Sequence, residues 1–168
     1  MRYVATLAFK EGEAYVALVQ KNTEKLPHLN GKWNGIGGKM EVGESPVGAA
    51  MREFYEETGI PVFKDSMVFV EHQRFPGGVA LDDERYCQGD EIYWYATQID
   101  DWSGAFPPLP KVNDVGENLR WAAVLPLLGV GYKTYPHTIL GKHLCPNLGY
   151  LIPKAITFLR TPYLDRPC

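Results

Sequence analysis

The sequence predicts a single α/β domain over residues 1–168. Two patterns carry that reading. Short apolar segments rich in β-branched and aromatic residues recur along the chain, as strands do. One amphipathic helix with clear start and stop signals stands among them, and a second lies near the end. Length agrees: 168 residues, 45% apolar and 22% charged, suit one core that needs no disulfide or structural metal.

The elements follow in order. Tyr3 to Phe9 and Tyr15 to Val19 read as strands joined through Lys10-Glu11-Gly12-Glu13, a hairpin. Gln20 to Lys32 is polar, broken by Pro27 and Gly31, and reads as a loop. Gly35-Ile36-Gly37-Gly38 is too glycine-rich for a helix. The clearest helix starts at Ser45, an N-cap, with Pro46 at the first helical position, and stops at Gly59 with Pro61 beyond. Val47, Ala50, Met51, Phe54 and Thr58 recur at helical spacing and form its predicted buried stripe. Met67 to Glu71 and Ile92 to Thr97 read as strands, separated by a loop or hairpin tip at Gly77-Gly78 and Asp82-Asp83-Glu84. Asp100 to Gly116 reads as a long proline-rich loop, and Leu119 to Val124 as a strand. A last helix spans Asn147 to Leu159, with Leu148, Leu151, Ile152, Ile156 and Leu159 on its apolar side. Pro153 inside it predicts a kink or a late start.

Net charge is −3, from 17 basic and 20 acidic residues. Such a chain has no electrostatic footprint for long nucleic acid, and it is a poor host for several phosphates unless metal cations intervene. Cys87, Cys145 and Cys168 form no CxxC pair, an odd and sparse set that suits a reducing compartment. His137, His143 and Cys145 match no standard zinc spacing. The opening MRYVATLAFK is too short an apolar stretch for a signal peptide, and the run from Trp121 to Val130 is too short to span a bilayer. The expectation is a cytoplasmic protein with no membrane contact.

The chemistry concentrates in Gly38 to Ile60. Glu53, Glu56 and Glu57 stand at i, i+3 and i+4 on the first helix, within one arc of roughly 100°. The apolar stripe is centred elsewhere, so these carboxylates are expected to face outward along one edge of it. Three like charges this close repel, and a hard divalent cation resolves the conflict because Mg²⁺ and Mn²⁺ take carboxylate oxygens. Glu44 can return toward the same place, and Arg52 can hold one carboxylate in a fixed rotamer. The competing reading is a solvated acidic face with a surface ion pair.

Spacing decides between them. The stretch runs Gly38, five residues, Glu44, seven residues, Arg52-Glu53, an apolar Phe54, one residue, Glu56-Glu57, one residue, Gly59 and an apolar Ile60. Seven fixed residues at an average frequency of ~1/15 meet by chance on the order of once in 10⁸ placements. This is the pattern of the Nudix box, and the chain resembles the Nudix hydrolases, in particular the MutT-like nucleoside triphosphate pyrophosphohydrolases. The resemblance implies an α/β/α sandwich with a mixed central sheet, the box lying on a loop–helix–loop. It implies Mg²⁺-dependent hydrolysis, with Mn²⁺ able to substitute, of a nucleoside diphosphate linked to another moiety. By the same resemblance Glu53, Glu56 and Glu57 are metal ligands, the Gly38 carbonyl is a further one, and Glu44 and Arg52 support helix and loop. One glutamate in the box or a later loop activates the water; Glu53 is the first choice.

Outside the box, Lys32-Trp33-Asn34-Gly35-Ile36-Gly37-Gly38-Lys39 resembles the approach segment of family members that act on nucleoside triphosphates, oxidised purines included. There the Asn contacts the base, which carries to Asn34; the alternative is a residue that shapes the turn. Lys21 and Lys39 resemble residues that meet phosphate, or are solvated lysines. Glu117 lies where many members place a loop glutamate that binds metal or activates water; otherwise it is an exposed loop acid. Asn147-Leu148 stands where the oxidised-purine enzymes carry an acidic pair, a departure that argues against oxidised-guanine specificity while leaving Asn147 as a base contact. Tyr3, Phe75, Tyr93 and Trp94 are stacking candidates or core.

The leading expectation is therefore hydrolysis of a (d)NTP, normal or modified, to the monophosphate and pyrophosphate. The alternative is an ADP-ribose or nucleotide-sugar pyrophosphatase: Pro76, sixteen residues beyond Ile60, resembles a proline associated with ADP-ribose specificity in the family, or else belongs to a turn with Gly77-Gly78. A non-catalytic binding module would have lost box acids. The partner is a small nucleotide. Oligomeric state has no sequence signature, and a homodimer is compatible with it. The length beyond the smallest members is expected in the loops 79–90 and 101–113.

Overall fold

The structure, a computed structural model, describes residues 1–10, 12–22, 29–74, 89–99, 108–124, 127, 144–145 and 147–162. Phe75, Pro76, Gly77-Gly78, Asp82-Asp83-Glu84, His137 and His143 lie outside the described residues, as do most of the two long loops.

Strand β1 (Arg2–Lys10) and strand β2 (Tyr15–Gln20) form the expected hairpin, antiparallel at its closed end, where Phe9 faces Val16 and Lys10 faces Tyr15. Toward its start β1 bonds to a different segment. Val4 N donates to Gly38 O (2.9 Å), Thr6 N to Ile36 O (2.7 Å), and Met40 N to Arg2 O (3.0 Å). The glycine-rich segment is thus held by the sheet like a strand. On β2, a two-residue strand β3 (Trp33–Asn34) pairs at the far end. The sequence reading missed β3, because two residues are too few to show a period.

Helix α1 (Pro46–Thr58) follows, with both predicted caps present. Ser45 Oγ accepts from Gly48 N at 3.2 Å, and Gly59 ends the helix in the left-handed region (φ 70°), its N–H on Tyr55 O. After a 3₁₀ turn at Lys64–Ser66 come strand β4 (Val68–Arg74) and strand β5 (Glu91–Gln98), antiparallel with a bulge between Phe69 and Glu71. β5 runs parallel to β1 in register from Arg2–Glu91 to Phe9–Gln98. Strand β6 (Asn118–Ala123) pairs antiparallel with the whole of β2. The sheet is mixed and six-stranded, in the order β3-β2-β1-β5-β4 with β6 on β2. Helix α2 (Leu148–Arg160) closes the described fold.

A parallel β1–β5 pair at the centre of a sheet is stable when both faces are covered. Here α1 covers one face, packing Ala49, Ala50 and Phe54 on Val4, Ala8, Ala17, Val19, Ile36 and Tyr95. On the other face α2 packs Leu148, Leu151, Ile152 and Ala155 on Ala5, Leu7, Phe9, Leu18, Val70 and Trp94. The result is the expected α/β/α sandwich, and it explains why β1 is buried at six successive positions, Val4 to Phe9, rather than alternately. The buried stripe of α1 differs in one respect from the expected one. Ala49 is fully buried, and Val47 and Met51 are only partly so. Pro153 does not delay α2. It sits in the second turn, and the one lost hydrogen bond is outweighed by Leu148, Leu151, Ile152 and Ala155, each 0% exposed against the sheet.

Glu71 on β4 ties α2 to the sheet edge, accepting from Lys154 Nζ (2.7 Å) and Tyr150 OH (2.8 Å). Burial pushes the Glu71 carboxyl up, but the hydrogen bonds from Lys154, Tyr150 and Gln73 outweigh it and hold the group below its ordinary value. Among the described residues no helix is long and apolar enough to cross a membrane.

Two measurements check this packing. Phe54→Ala removes a fully buried ring and is expected to cost ~3–5 kcal/mol in a urea titration. Because the folded Glu71 pKa is depressed, its contribution is full above the unfolded carboxyl value of about 4.3 and is lost as pH falls through the lower folded one. Lys154→Met should therefore flatten the acid limb of the stability–pH curve and leave the fold at neutral pH intact.

Candidate active site

The site forms where β1 and β2 diverge. The Ile36–Met40 segment fills the gap beside β1, α1 lies across it, and the hairpin-like turn before β6 approaches from the far side of β2. Two cations organise the acids there.

The first is Arg52. Its Nε and Nη2 grip both oxygens of Glu44 (3.0 Å each), while Nη1 donates to Glu53 (2.9 Å) and to Glu56 (3.0 Å). Nη2 also reaches Lys39 O at 3.2 Å. Arg52 thus holds three carboxylates and the loop backbone, where the sequence suggested one carboxylate. The planar fork is what makes this possible; an ammonium has no such geometry. Glu44 in turn accepts from Glu41 N (3.0 Å), and its carboxyl is held low by the hydrogen bond from Arg52 and then by this backbone donor. The Arg52 guanidinium is shifted upward, chiefly by Glu44.

The second is Lys21. Its Nζ stands 3.1 Å from Glu117, 3.4 Å from Gly37 O and 3.8 Å from Glu57. A residue expected on resemblance to meet phosphate is here the link between box helix and loop acid. Glu117 is buried rather than an exposed loop acid: besides Lys21 it accepts from Asn22 N (3.1 Å) and Asn113 Nδ2 (3.3 Å).

The box carboxylates are not equivalent. Glu56 faces outward as expected, its side chain 56% exposed, but Glu53 and Glu57 are 15% and 13% exposed. The glycine-rich segment covers them, which helical periodicity alone does not reveal. Burial pushes the Glu57 carboxyl up to about 7, with Lys21 opposing and Glu117 and Glu53 adding to the rise. Burial also raises Glu53, against the pull of Arg52.

Among the described residues no group of three or more His, Cys, Asp or Glu side chains is arranged to hold a metal ion; Arg52 and Lys21 lie between the acids. Two features nevertheless fit a divalent cation. Glu57 Oε2 is buried with no hydrogen-bond partner, an acidic oxygen that a hard cation would satisfy. Gly38 lies so close to Glu53 that a Cβ there would collide with the carboxylate, so the backbone at this position stands directly beside that acid. Gly38 O accepts from Val4 N and keeps a second lone pair.

The remaining candidates lie further out. Lys39 gives its carbonyl to Arg52, and its side chain is exposed. Asn34 pairs opposite Val19 on β2, two residues before Lys21, and its Oδ1 accepts from Gly35 N (2.9 Å). Asn147 begins α2 on the other side of the sheet; it makes no side-chain cap and donates to Gln73 Oε1 (3.4 Å), which also accepts from Trp94 Nε1 (2.9 Å). Trp94 is core, 1% exposed, whereas Tyr93 stacks on His72 at 4.1 Å. Cys145 is buried and its thiol is pushed up to about 11 by that burial, an inert side chain. Asn113 and Gln73 were not singled out from sequence. Asn113-Asp114-Val115-Gly116-Glu117 does carry a turn signature, Asn first and Gly fourth, that could have flagged the former.

Comparison with known proteins matches residues 1–134 to the model of the NUDIX domain. Among solved structures, the chain resembles a NUDIX hydrolase from Nitrosomonas europaea, with a TM-score of 0.61 and 17% identity over 99% of this chain and 95% of that one. A MutT/nudix family protein from Enterococcus faecalis gives 0.56 and 21%, over 73% of this chain and 43% of that one. A bifunctional NMN adenylyltransferase/ADP ribose pyrophosphatase from Francisella tularensis, complexed with AMP and Mn ion, gives 0.59 and 17%, over 93% and 40%. At these identities the likeness is one of fold. A curated relative, an octanoyltransferase of Myxococcus xanthus, is 41% identical over 59 residues; the match spans 35% of this chain and 15% of that protein.

Arg52→Lys tests the first cation. A lysine cannot grip Glu44 and hold Glu53 at once, so the Mg²⁺-dependent hydrolysis expected from the box pattern should fall by roughly 10–100-fold while far-UV circular dichroism is unchanged.

Proposed function

Because this chain belongs to the NUDIX family, with the matched domain covering residues 1–134, we propose that it is a divalent-cation-dependent pyrophosphohydrolase of a nucleotide-linked substrate. More specifically, it cleaves a (d)NTP to the monophosphate and pyrophosphate. The observation that carries the reading is the partnerless, buried Glu57 Oε2 beside Glu53, Glu117 and the glycine cradle. Structural carboxylates are normally satisfied, and acids are seldom buried this close together without a task.

In this reading Glu53, Glu56, Glu57, Glu117 and the Gly38 carbonyl would hold Mg²⁺. When bound, the cation supplies charge to neutralise phosphate oxygens and to acidify water, the two needs of phosphoryl transfer. The protein residues do the rest. Arg52 keeps Glu53 in one rotamer and Glu44 braces Arg52 against the loop. Glu53, raised by burial and only partly exposed, takes the proton of the attacking water. Water oxygen bonds to phosphorus, the bridging P–O bond breaks, and pyrophosphate leaves. Lys21 and Lys39 approach the phosphates, and Asn34 and Asn147 the base.

The second reading, an ADP-ribose or nucleotide-sugar pyrophosphatase, is favoured by the fold likeness to the Francisella tularensis protein. One panel separates them. The protein is incubated with Mg²⁺ and, separately, canonical and oxidised dNTPs, ADP-ribose, GDP-mannose and dinucleoside polyphosphates, and products are resolved by chromatography. The expected result is preferred turnover of a triphosphate to monophosphate and pyrophosphate; preferred turnover of ADP-ribose or a sugar nucleotide reverses the order. Glu57→Gln should abolish both the hydrolysis and the Mg²⁺-induced rise in melting temperature. Asn34→Ala should raise KM or alter base preference while that rise survives.

A further inference from the structure

Glu117 comes from a loop, yet it is among the least exposed polar residues, 5% accessible, and it faces the box helix across Lys21. Its placement rests on a short, tightly tied turn. Asn113 N donates to Glu117 O (2.9 Å), Gly116 N to Asn113 O (3.0 Å), and Leu119 N to Lys111 O (3.0 Å), so residues 111–119 close on themselves next to β6. Gly116 turns the chain at φ 82°. Two further bonds come from one side chain. Asn113 Oδ1 accepts from Glu117 N (2.8 Å), and Asn113 Nδ2 donates to Glu117 Oε2 (3.3 Å). Asn113 is itself 9% exposed.

We propose that Asn113 is a positioning residue for the reaction: its side-chain amide sets both the backbone and the carboxylate of Glu117, and so the reach of the loop acid into the site. The proposal rests on the reading of the Glu117–Glu57–Glu53 cluster as the hydrolytic centre. The chemistry of the amide explains why asparagine stands here. One end must accept from an N–H and the other must donate to a carboxylate. Aspartate, equal in size, keeps the first bond but turns a second anion toward Glu117, which already faces Glu57 across the single Lys21 ammonium. The backbone bonds and the Oδ1 bond already close the turn; the Nδ2 bond reaches the carboxylate and adds nothing to that closure.

Four variants test this: Glu117→Gln, Asn113→Ala, Asn113→Asp and Gly116→Ala, together with the double variant Asn113→Ala/Glu117→Gln. Gly116→Ala strains the same turn at its positive φ and meets nothing within 4 Å, so it loosens the turn while leaving the Asn113 amide in place. Each is assayed for Mg²⁺-dependent hydrolysis of dGTP and of ADP-ribose, for Mn²⁺ binding by titration calorimetry without nucleotide, and for melting temperature. The expected result is a fall in kcat of tenfold or more for Asn113→Ala and Asn113→Asp with KM within threefold, and weaker Mn²⁺ binding in Asn113→Ala. Gly116→Ala, which keeps the amide, lowers the melting temperature and costs less in kcat than Asn113→Ala. The double variant is no slower than Glu117→Gln alone, because the two residues act through one carboxylate. The proposal is overturned if Glu117→Gln is impaired while Asn113→Ala keeps kcat and Mn²⁺ affinity within twofold; Glu117 then serves without Asn113. It is overturned together with the assignment of Glu117 if Glu117→Gln is itself within twofold. Failure of the wider reading is distinct: no hydrolysis of any panel nucleotide by the unaltered protein.

Discussion

Carboxylates brought this close repel one another, and the interleaving of Arg52 and Lys21 among them is the constraint on which the site depends. Arg52 collects Glu44, Glu53 and Glu56 on one side, and Lys21 joins Glu57 to Glu117 on the other. Each cation also grips backbone: Arg52 at Lys39 O and Lys21 at Gly37 O. The charges therefore fix the loop as well as one another. A net charge of −3 says little about this, since the acidic excess is local and is answered locally by two buried stems with charged heads. With a divalent ion added, such a cluster becomes a cradle for polyphosphate.

The backbone makes that arrangement reachable. β1 shares its hydrogen bonds between β2 at one end and the Ile36–Met40 segment at the other. The divergence opens a gap between these two strands at one end of the sheet, and the glycines fill it closely enough that no side chain could be added at Gly37 or Gly38 without collision. The same close approach buries Glu53 and Glu57, raises their carboxyls, and leaves one Glu57 oxygen without a donor. Burial and charge thus pull against each other at the same residues, which is the condition under which an acid is available for proton transfer or cation binding.

Much of this was legible beforehand. The caps of α1 at Ser45 and Gly59 involve residues within four positions of each other, so local rules suffice. The box itself is a local spacing, readable because helix geometry converts i, i+3 and i+4 into a shared face. What escaped depended on distant chain. Whether Glu53 and Glu57 face solvent depends on the glycine segment folding over them, and whether α1 buries Ala49 or Val47 depends on how the helix is rotated on the sheet.

By itself, then, the sequence determined the types of the longer elements, the ends of α1, the α/β class and the family-defining acids, because each is encoded in short-range pattern. Only the tertiary structure decided that Lys21 stands between Glu57 and Glu117, that Asn113 seats the loop acid, and that Asn147 meets Gln73 rather than the box. Those contacts join residues from 4 to 96 positions apart, and most are set by strand pairing, which no local pattern records.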